Sequence, residues 1–127
     1  MSKDKLSLIC AVIGNAYIYH FASNYWGESI LVMDKNGLAF ARVSWYYNDY
    51  QTVYLDFLSV DEKIRRNRVG TILQEKREEI GRILGANSSM LSVEKKSWMH
   101  DWYSRRRYID YKKHEDERLI WMIKDLR

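Results

Sequence analysis

Apolar residues recur at helical spacing near the start of the chain, at Leu6, Ile9, Val12, Ile13, Ala16 and Tyr17. Steps of three and four residues put them on one side of a helix. A helix is therefore predicted over residues 5–23, or two short helices parted at Gly14-Asn15. The pattern then breaks into short runs. Ser29–Asp34 reads as a strand. Asn36-Gly37 follows between apolar runs, a hairpin signal because both residues tolerate positive φ. Leu38–Tyr47 is the partner strand and Asn48-Asp49 the next turn. Thr52–Val60 is nearly all apolar or aromatic, which predicts a central strand covered on both faces.

Helical spacing returns over Val69–Leu84. Val69, Ile72, Leu73, Lys76, Ile80, Ile83 and Leu84 share one side, while Glu75, Glu78, Glu79 and Arg82 lie elsewhere. Glu78 and Arg82 are one turn apart, a spacing that allows a weak ion pair. Gly85 stands where a C-cap glycine ends a helix. Ser89–Glu94 reads as a strand, and Ser97 as the N-cap of a short helix through about Arg106. Tyr108–Tyr111 and Arg118–Lys124 are two further strands joined by a polar turn. The order is helix, three strands, helix, strand, helix, two strands. It predicts an α/β (α+β) fold, a mixed sheet with helices on both faces.

Composition narrows the class. The 127 residues fit one domain, 1–127, long enough to bury a core without metals or disulfides. Hydrophobic residues at 46% and charged residues at 30% give a globular balance. The net charge of +4 suits a polyanionic ligand and equally suits nucleic acid. Cys10 is the only cysteine, which excludes an internal disulfide and makes the reducing cytoplasm the expected location. No signal peptide and no membrane-spanning run is read. His20, His100 and His114 have no partner at ligand spacing, so no metal site is expected.

The chemistry concentrates in Tyr54–Leu73, YLDFLSVDEKIRRNRVGTIL. A strand ends at Val60, a basic loop follows, and a helix starts. A helix N-terminus offers free N–H groups and partial positive charge, which hold phosphates. Arg65, Arg66 and Arg68 add full charges, and Gly70 permits close approach of a ligand to the backbone. A solvated basic turn before an ordinary helix is the plainer reading of the same residues.

Here the chain resembles the GNAT superfamily of acetyl-CoA-dependent N-acetyltransferases. The family signature is Arg or Gln, two residues, Gly, one residue, then Gly or Ala. Arg65-Arg66-Asn67-Arg68-Val69-Gly70-Thr71 matches it at Arg65 and Gly70, with Arg68 at the middle glycine position and Glu62 where a proline is common. Downstream, Trp102-Tyr103 resembles the family's aromatic-Tyr pair, with Tyr108 at a usual Phe position. Lys96, Met99 and Arg107 replace the family's Asn, Ala and Gly. Leu119–Leu126 is similar to its last strand. The resemblance spans about residues 28–126. The opening is shorter than the family's usual two helices.

The resemblance implies a mostly antiparallel central sheet and a site for acetyl-CoA as co-substrate. It implies that Leu58, Ser59 and Val60 pair with the pantetheine arm through backbone groups. The pyrophosphate would lie on N–H groups from about Arg66 to Thr71, taking in Asn67, Arg68, Val69 and Gly70. A backbone N–H near Val60 would polarise the acetyl carbonyl, and Tyr103 would protonate the leaving thiolate. The amine must attack as the neutral base, so its proton needs an acceptor. Asp56 is a candidate for that base, or for binding the amine, because a carboxylate in so apolar a strand needs a reason; a salt bridge to a nearby Arg or Lys is an equal alternative. Trp45, Tyr46, Tyr47 and Asp49 are read either as the lining of an acceptor cleft or as core and turn residues.

Three functions compete. The first is an N-acetyltransferase for a small-molecule or peptide amine. The second is a catalytically degenerate GNAT-fold module acting by CoA or protein binding, a reading that Arg68 favours. The third is a basic nucleic-acid-binding domain, for which Arg105-Arg106-Arg107 is the pointer but no binding motif is present. The same three arginines also fit a helix C-terminus or the 3′-phosphate end of CoA. No membrane partner is expected, and a homodimer is compatible with the sequence.

Overall fold

The computed structural model describes residues 1–127. Seven strands form one sheet in the order β1-β2-β3-β4-β5-β7-β6. These are β1 (Tyr17–Ser23), β2 (Gly27–Asp34), β3 (Ala39–Tyr46), β4 (Asp49–Val60), β5 (Ser88–Glu94), β6 (Ile109–Lys113) and β7 (Leu119–Asp125). Only β4 and β5 run parallel. Helix α1 (Lys3–Ile13) precedes the sheet, α2 (Val69–Ile83) connects β4 to β5, and α3 (Trp98–Ser104) follows β5. The expected class, mixed α/β with a mostly antiparallel sheet, is therefore the observed one. No helix is long and apolar enough to cross a membrane.

The predicted helix over 5–23 is half helix and half strand. Ser2 caps α1 by accepting from Lys5 N, and Gly14 stops it at φ 77 while its N–H donates to Cys10 O at 3.0 Å. Such a φ favours glycine. The residues beyond, Tyr17-Ile18-Tyr19-His20-Phe21, are aromatic or β-branched and pair with β2 from Tyr17↔Asp34 to Ser23↔Glu28. Their helical spacing was coincidental with a strand's preference for these side chains. The Asn36-Gly37 hairpin forms as read: Gly37 has φ 70, and Asp34 accepts from Gly37 N and Ala39 N. The next turn sits one residue earlier than read, since Tyr46 pairs with Asp49 across Tyr47-Asn48.

Alternation along β3 separates the two faces. Ala39, Ala41, Val43 and Trp45 are buried, whereas Phe40, Arg42 and Ser44 are half-buried and Tyr46 is exposed. The core gathers on the first of these faces, with Ile30, Val32, Val53, Leu55, Leu91 and Met122 from the sheet. Ile9 and Ile13 of α1, Leu73 and Ile80 of α2 and Tyr103 of α3 complete it. Helices were expected on both faces; they gather on one. Accordingly β4 is central in the sheet but is not covered twice. Its Asp56, Phe57 and Ser59 are exposed.

Helix α2 lies across β3, β4 and β5. Gly81 lets it approach closely, for a Cβ there would come within 3.0 Å of Val53 and 2.9 Å of Leu126. Gly85, at φ 87, ends the turn that follows the helix. The helix also buries more than its apolar stripe. Arg77 is fully buried and Glu78 nearly so, although Glu78 was placed on the polar side. Glu78 pairs with Lys124 of β7, not with Arg82, which instead reaches Glu79 and the carbonyl of Leu126.

Candidate functional site

The ladder between β4 and β5 is short. It holds at Thr52↔Ser88, Val53↔Ser89 and Tyr54↔Met90, and pairing ends there. Beyond Tyr54 the strands part. The departure coincides with a bulge in β4, where Phe57 takes φ 57 and the register against β3 shifts between Phe40 and Arg42. A cleft of about 330 Å³ opens between the strands, lined by Leu55–Leu58, Leu91–Glu94, Ser97, Met99 and Tyr103.

This cleft meets a larger one of about 590 Å³ through Leu58 and Met99, which line both. The larger cleft brings together Leu58, Ser59, Val60, Arg65, Arg68, Gly70 and Thr71 of the sequence-derived set, with Trp98, Met99 and Trp102 from α3. Arg66, Asn67 and Val69 stay outside its lining. Arg66 and Asn67 are exposed on a 3-10 helix (Glu62–Asn67), and Val69 packs partly against the core.

Local chemistry builds the turn between β4 and α2. Asp61 caps the 3-10 helix by accepting from Lys63 N, and its own N–H donates to Leu38 O. Arg65 Nε donates to Val60 O at 3.0 Å, tying the loop to the end of the strand. Arg68 then takes φ 60 and ψ 22, the left-handed conformation in which glycine is least strained. The family's middle glycine position is thus occupied by an arginine with a glycine-like backbone, and this residue lines the cleft. No side chain caps α2. Its first helical bond runs from Ile72 N to Arg68 O, so the N–H groups of Val69, Gly70 and Thr71 have no intrahelical acceptor. Free N–H groups, a helix dipole and two arginines give this end of the cleft a positive potential, the environment that suits an anionic group. Leu58, Val60, Met99 and Trp102 give the rest an apolar wall. A long chain with a pyrophosphate at one end fits such a shape.

Tyr103 is 4% exposed and lines the narrower cleft. Its hydroxyl accepts a 2.9 Å hydrogen bond from Arg77 Nη2, and its ring meets Trp102 and Tyr108 edge-on. Arg77 belongs to a buried polar network. It also donates to Gln74 and to the carbonyls of Arg42 and Asp56. Gln74 in turn donates to Glu78 and Tyr108, and Tyr108 to Glu78. Burial first, and the neighbouring Glu78 charge second, push the Tyr108 phenol well above its ordinary pKa, so it stays a neutral donor. Of this network, Arg77 and Gln74 were not singled out from the sequence; Tyr103 and Tyr108 were marked by position, and Glu78 was read as a residue of the polar side. One signal was present: Arg77 interrupts the apolar stripe between Leu73 and Ile80, where a charge must be satisfied from within.

Asp56 forms a salt bridge with Arg42. Both of its oxygens accept from the Arg42 guanidinium, at the mouth of the narrower cleft. Trp45 is a core residue whose indole donates to Glu28 at 3.3 Å. Asp49 is the first residue of β4 and accepts from Gln51 N, and Tyr46 is exposed and packs edge-on to Tyr54. The arginines after α3 are engaged locally. Arg105 pairs with Asp101, Arg106 lies 3.5 Å over Trp102 and donates to Thr71, and Arg107 turns the chain at φ 73. No group of three His, Cys, Asp or Glu residues is placed to hold a metal.

Comparison with known proteins places this geometry. A family model described as acetyltransferase (GNAT) family matches residues 15–106. No curated protein sequence matches the chain at significance. Solved structures share the fold at low identity. A Klebsiella pneumoniae chain assigned to the acyl-CoA N-acyltransferases is 12% identical with TM-score 0.68, over 89% of this chain and 100% of its own. A Bacillus cereus acetyltransferase is 19% identical with TM-score 0.61, over 97% and 84%. A GNAT family acetyltransferase from Elizabethkingia anophelis, solved with acetyl-CoA bound, is 10% identical with TM-score 0.60, over 88% and 99%.

Proposed function

The chain belongs to the GNAT acetyltransferase family, and on that premise we propose that it moves an acetyl group from acetyl-CoA to an amine of a small molecule or peptide by direct attack. The observation that carries the reading is the parting of β4 from β5 after Tyr54, with a cationic, uncapped helix N-terminus at one end of the gap and Tyr103 inside it.

In this reading the pyrophosphate lies on the first turn of α2, with Arg65 and Arg68 beside it. The pantetheine arm follows Leu58, Ser59 and Val60. The neutral amine attacks the acetyl carbon while a backbone N–H near Val60 meets the developing oxyanion. As the tetrahedral centre collapses, the C–S bond breaks and its electron pair stays on sulfur. Tyr103 gives its proton to that sulfur, and the proton of the new ammonium passes to water. Water, rather than Asp56, is the proton acceptor here, because both oxygens of Asp56 already serve Arg42.

The second reading is a module of the same fold that binds CoA or a protein without turnover. The arginine at the left-handed loop position is what favours it. Thermal unfolding with acetyl-CoA, with AMP and a bulk polyanion as controls, comes first. A ligand at about a hundred times its dissociation constant adds roughly 2.7 kcal/mol. A rise with acetyl-CoA alone, followed by acetyl transfer to members of an amine panel, is the expected result. A rise without transfer to any amine would leave the binding module. No rise at all would remove the cofactor site.

A further inference from the structure

We infer that Arg77 is a positioning residue for the transfer reaction, setting the bulge of β4 and the proton of Tyr103 with one guanidinium. The inference rests on the acetyl-transfer reading above and goes beyond it by naming a residue that touches neither substrate.

Arg77 is fully buried on α2 and no carboxylate pairs with it directly. An arginine so placed is costly to bury unless its donors are used. One amine, Nη1, donates to Arg42 O at 3.2 Å and Asp56 O at 3.1 Å. Those carbonyls belong to the Arg42↔Asp56 pair that borders the register shift, and Asp56 precedes Phe57 at φ 57. The other amine, Nη2, donates to Tyr103 OH and to Gln74 Oε1. The same cation therefore fixes the backbone where β4 leaves β5 and the hydroxyl of Tyr103, a residue that lines the resulting cleft.

Two consequences follow from donor and acceptor roles alone. Arg77 has no acceptor lone pair, so the Tyr103 proton must point away from it, leaving Tyr103 as a donor toward the cleft. When that proton moves to the departing sulfur, the phenolate oxygen left behind lies beside a fixed positive charge in a site shielded from water. Charge stabilisation that needs no reorganisation acts in the transition state more than in the ground state. The proton returns to Tyr103 from solvent after release of CoA. Gln74, held by Glu78 and Tyr108, keeps the guanidinium from rotating out of this arrangement.

The test is steady-state kinetics of Arg77→Met, Arg77→Lys, Tyr103→Phe and the Arg77→Met/Tyr103→Phe pair, with folding checked by circular dichroism and unfolding midpoint. The expected result is a kcat about 100-fold lower in Arg77→Met with the acetyl-CoA KM within about threefold, and partial recovery in Arg77→Lys. The double variant should fall no more than about threefold below the slower single variant, because both changes remove one function. A near-normal kcat in folded Arg77→Met, or losses that multiply in the double variant, overturns the inference while leaving the acetyl-transfer reading intact. Where Arg77→Met does not fold, Arg77→Lys and its pair with Tyr103→Phe are read by the same criteria. A wild-type protein that transfers acetyl to no amine overturns the acetyl-transfer reading itself, and this inference with it.

Discussion

Lys124 of β7 reaches both carboxylate oxygens of Glu78 on α2, at 2.9 and 3.1 Å, and the Glu78 side chain is only 8% exposed. The pair pins the helix to the far half of the sheet. Removing one partner of a largely buried pair leaves a charge in a poor environment. Lys124→Met is expected to lower stability by about 2–3 kcal/mol in urea unfolding. Adding Glu78→Gln to that variant should recover part of the loss, because an amide has no charge to strand. An unchanged midpoint in Lys124→Met would show that Glu78 is adequately held by Gln74 and Tyr108.

Tyr103 and Asp56 separate in kinetics. Tyr103→Phe removes the proposed proton donor and should lower kcat by about 100-fold while acetyl-CoA affinity changes little. Asp56→Asn breaks a partly exposed ion pair with Arg42, so both stability and turnover should move little, stability by about 1 kcal/mol at most. A large kcat loss in Asp56→Asn would return that carboxylate to the role of base.

Arg68 occupies a left-handed backbone position and lines the larger cleft. Arg68→Gly relieves the strain of a side chain at φ 60, and stability is expected to rise or hold within about 1 kcal/mol. The same change removes a cation from the proposed phosphate end. Acetyl-CoA affinity measured by calorimetry should fall by about threefold to tenfold, with a shallower dependence on salt. Tighter binding in Arg68→Gly would mean that the arginine obstructs the pyrophosphate.

Gly70 tests the shape of the same end. A Cβ there would sit 3.6 Å from Val60 Cγ2 and 3.8 Å from Trp102 Cζ2, ordinary contacts. Gly70→Ala should keep or raise stability by up to about 1 kcal/mol, since alanine favours the helix. Gly70→Leu fills the cleft, so the unfolding midpoint should no longer respond to acetyl-CoA. A preserved response would place the cofactor elsewhere.

Asp116 gives a pH signature away from the site. Hydrogen bonds from the Arg118 side chain, and then from its backbone N–H, hold the Asp116 carboxyl down to about 2. The folded value lies below the unfolded one, so the contribution to stability is complete above an ordinary carboxylate pKa. It is lost as pH falls from about 4 through about 2. Carboxyl NMR titration should show the low midpoint in the wild type and a return toward pH 4 in Arg118→Ala. An ordinary midpoint in the wild type would mean that the turn does not hold this geometry in solution.

Local sequence determined much of this protein. Alternation and the Asn36-Gly37 pair fix the β2–β3 hairpin, because a period of two and residues tolerant of positive φ leave few other conformations. Apolar spacing fixes α2, Ser97 fixes the start of α3, and the basic loop running into α2 marks the cationic end of the larger cleft. These signals lie within a few residues of what they control. The sequence did not show where α1 gives way to β1, since Tyr17–Phe21 suits either period until β2 is beside it. Nor did it show that the helices gather on one face, that Asp56 is claimed by Arg42, or that Arg77 and Glu78 turn inward. Glu78 and Lys124 are 46 residues apart, and Arg77 and Tyr103 are 26 apart. Whether a charge on a helix is solvated or buried depends on which distant group arrives to satisfy it, and only the folded chain brings those groups together.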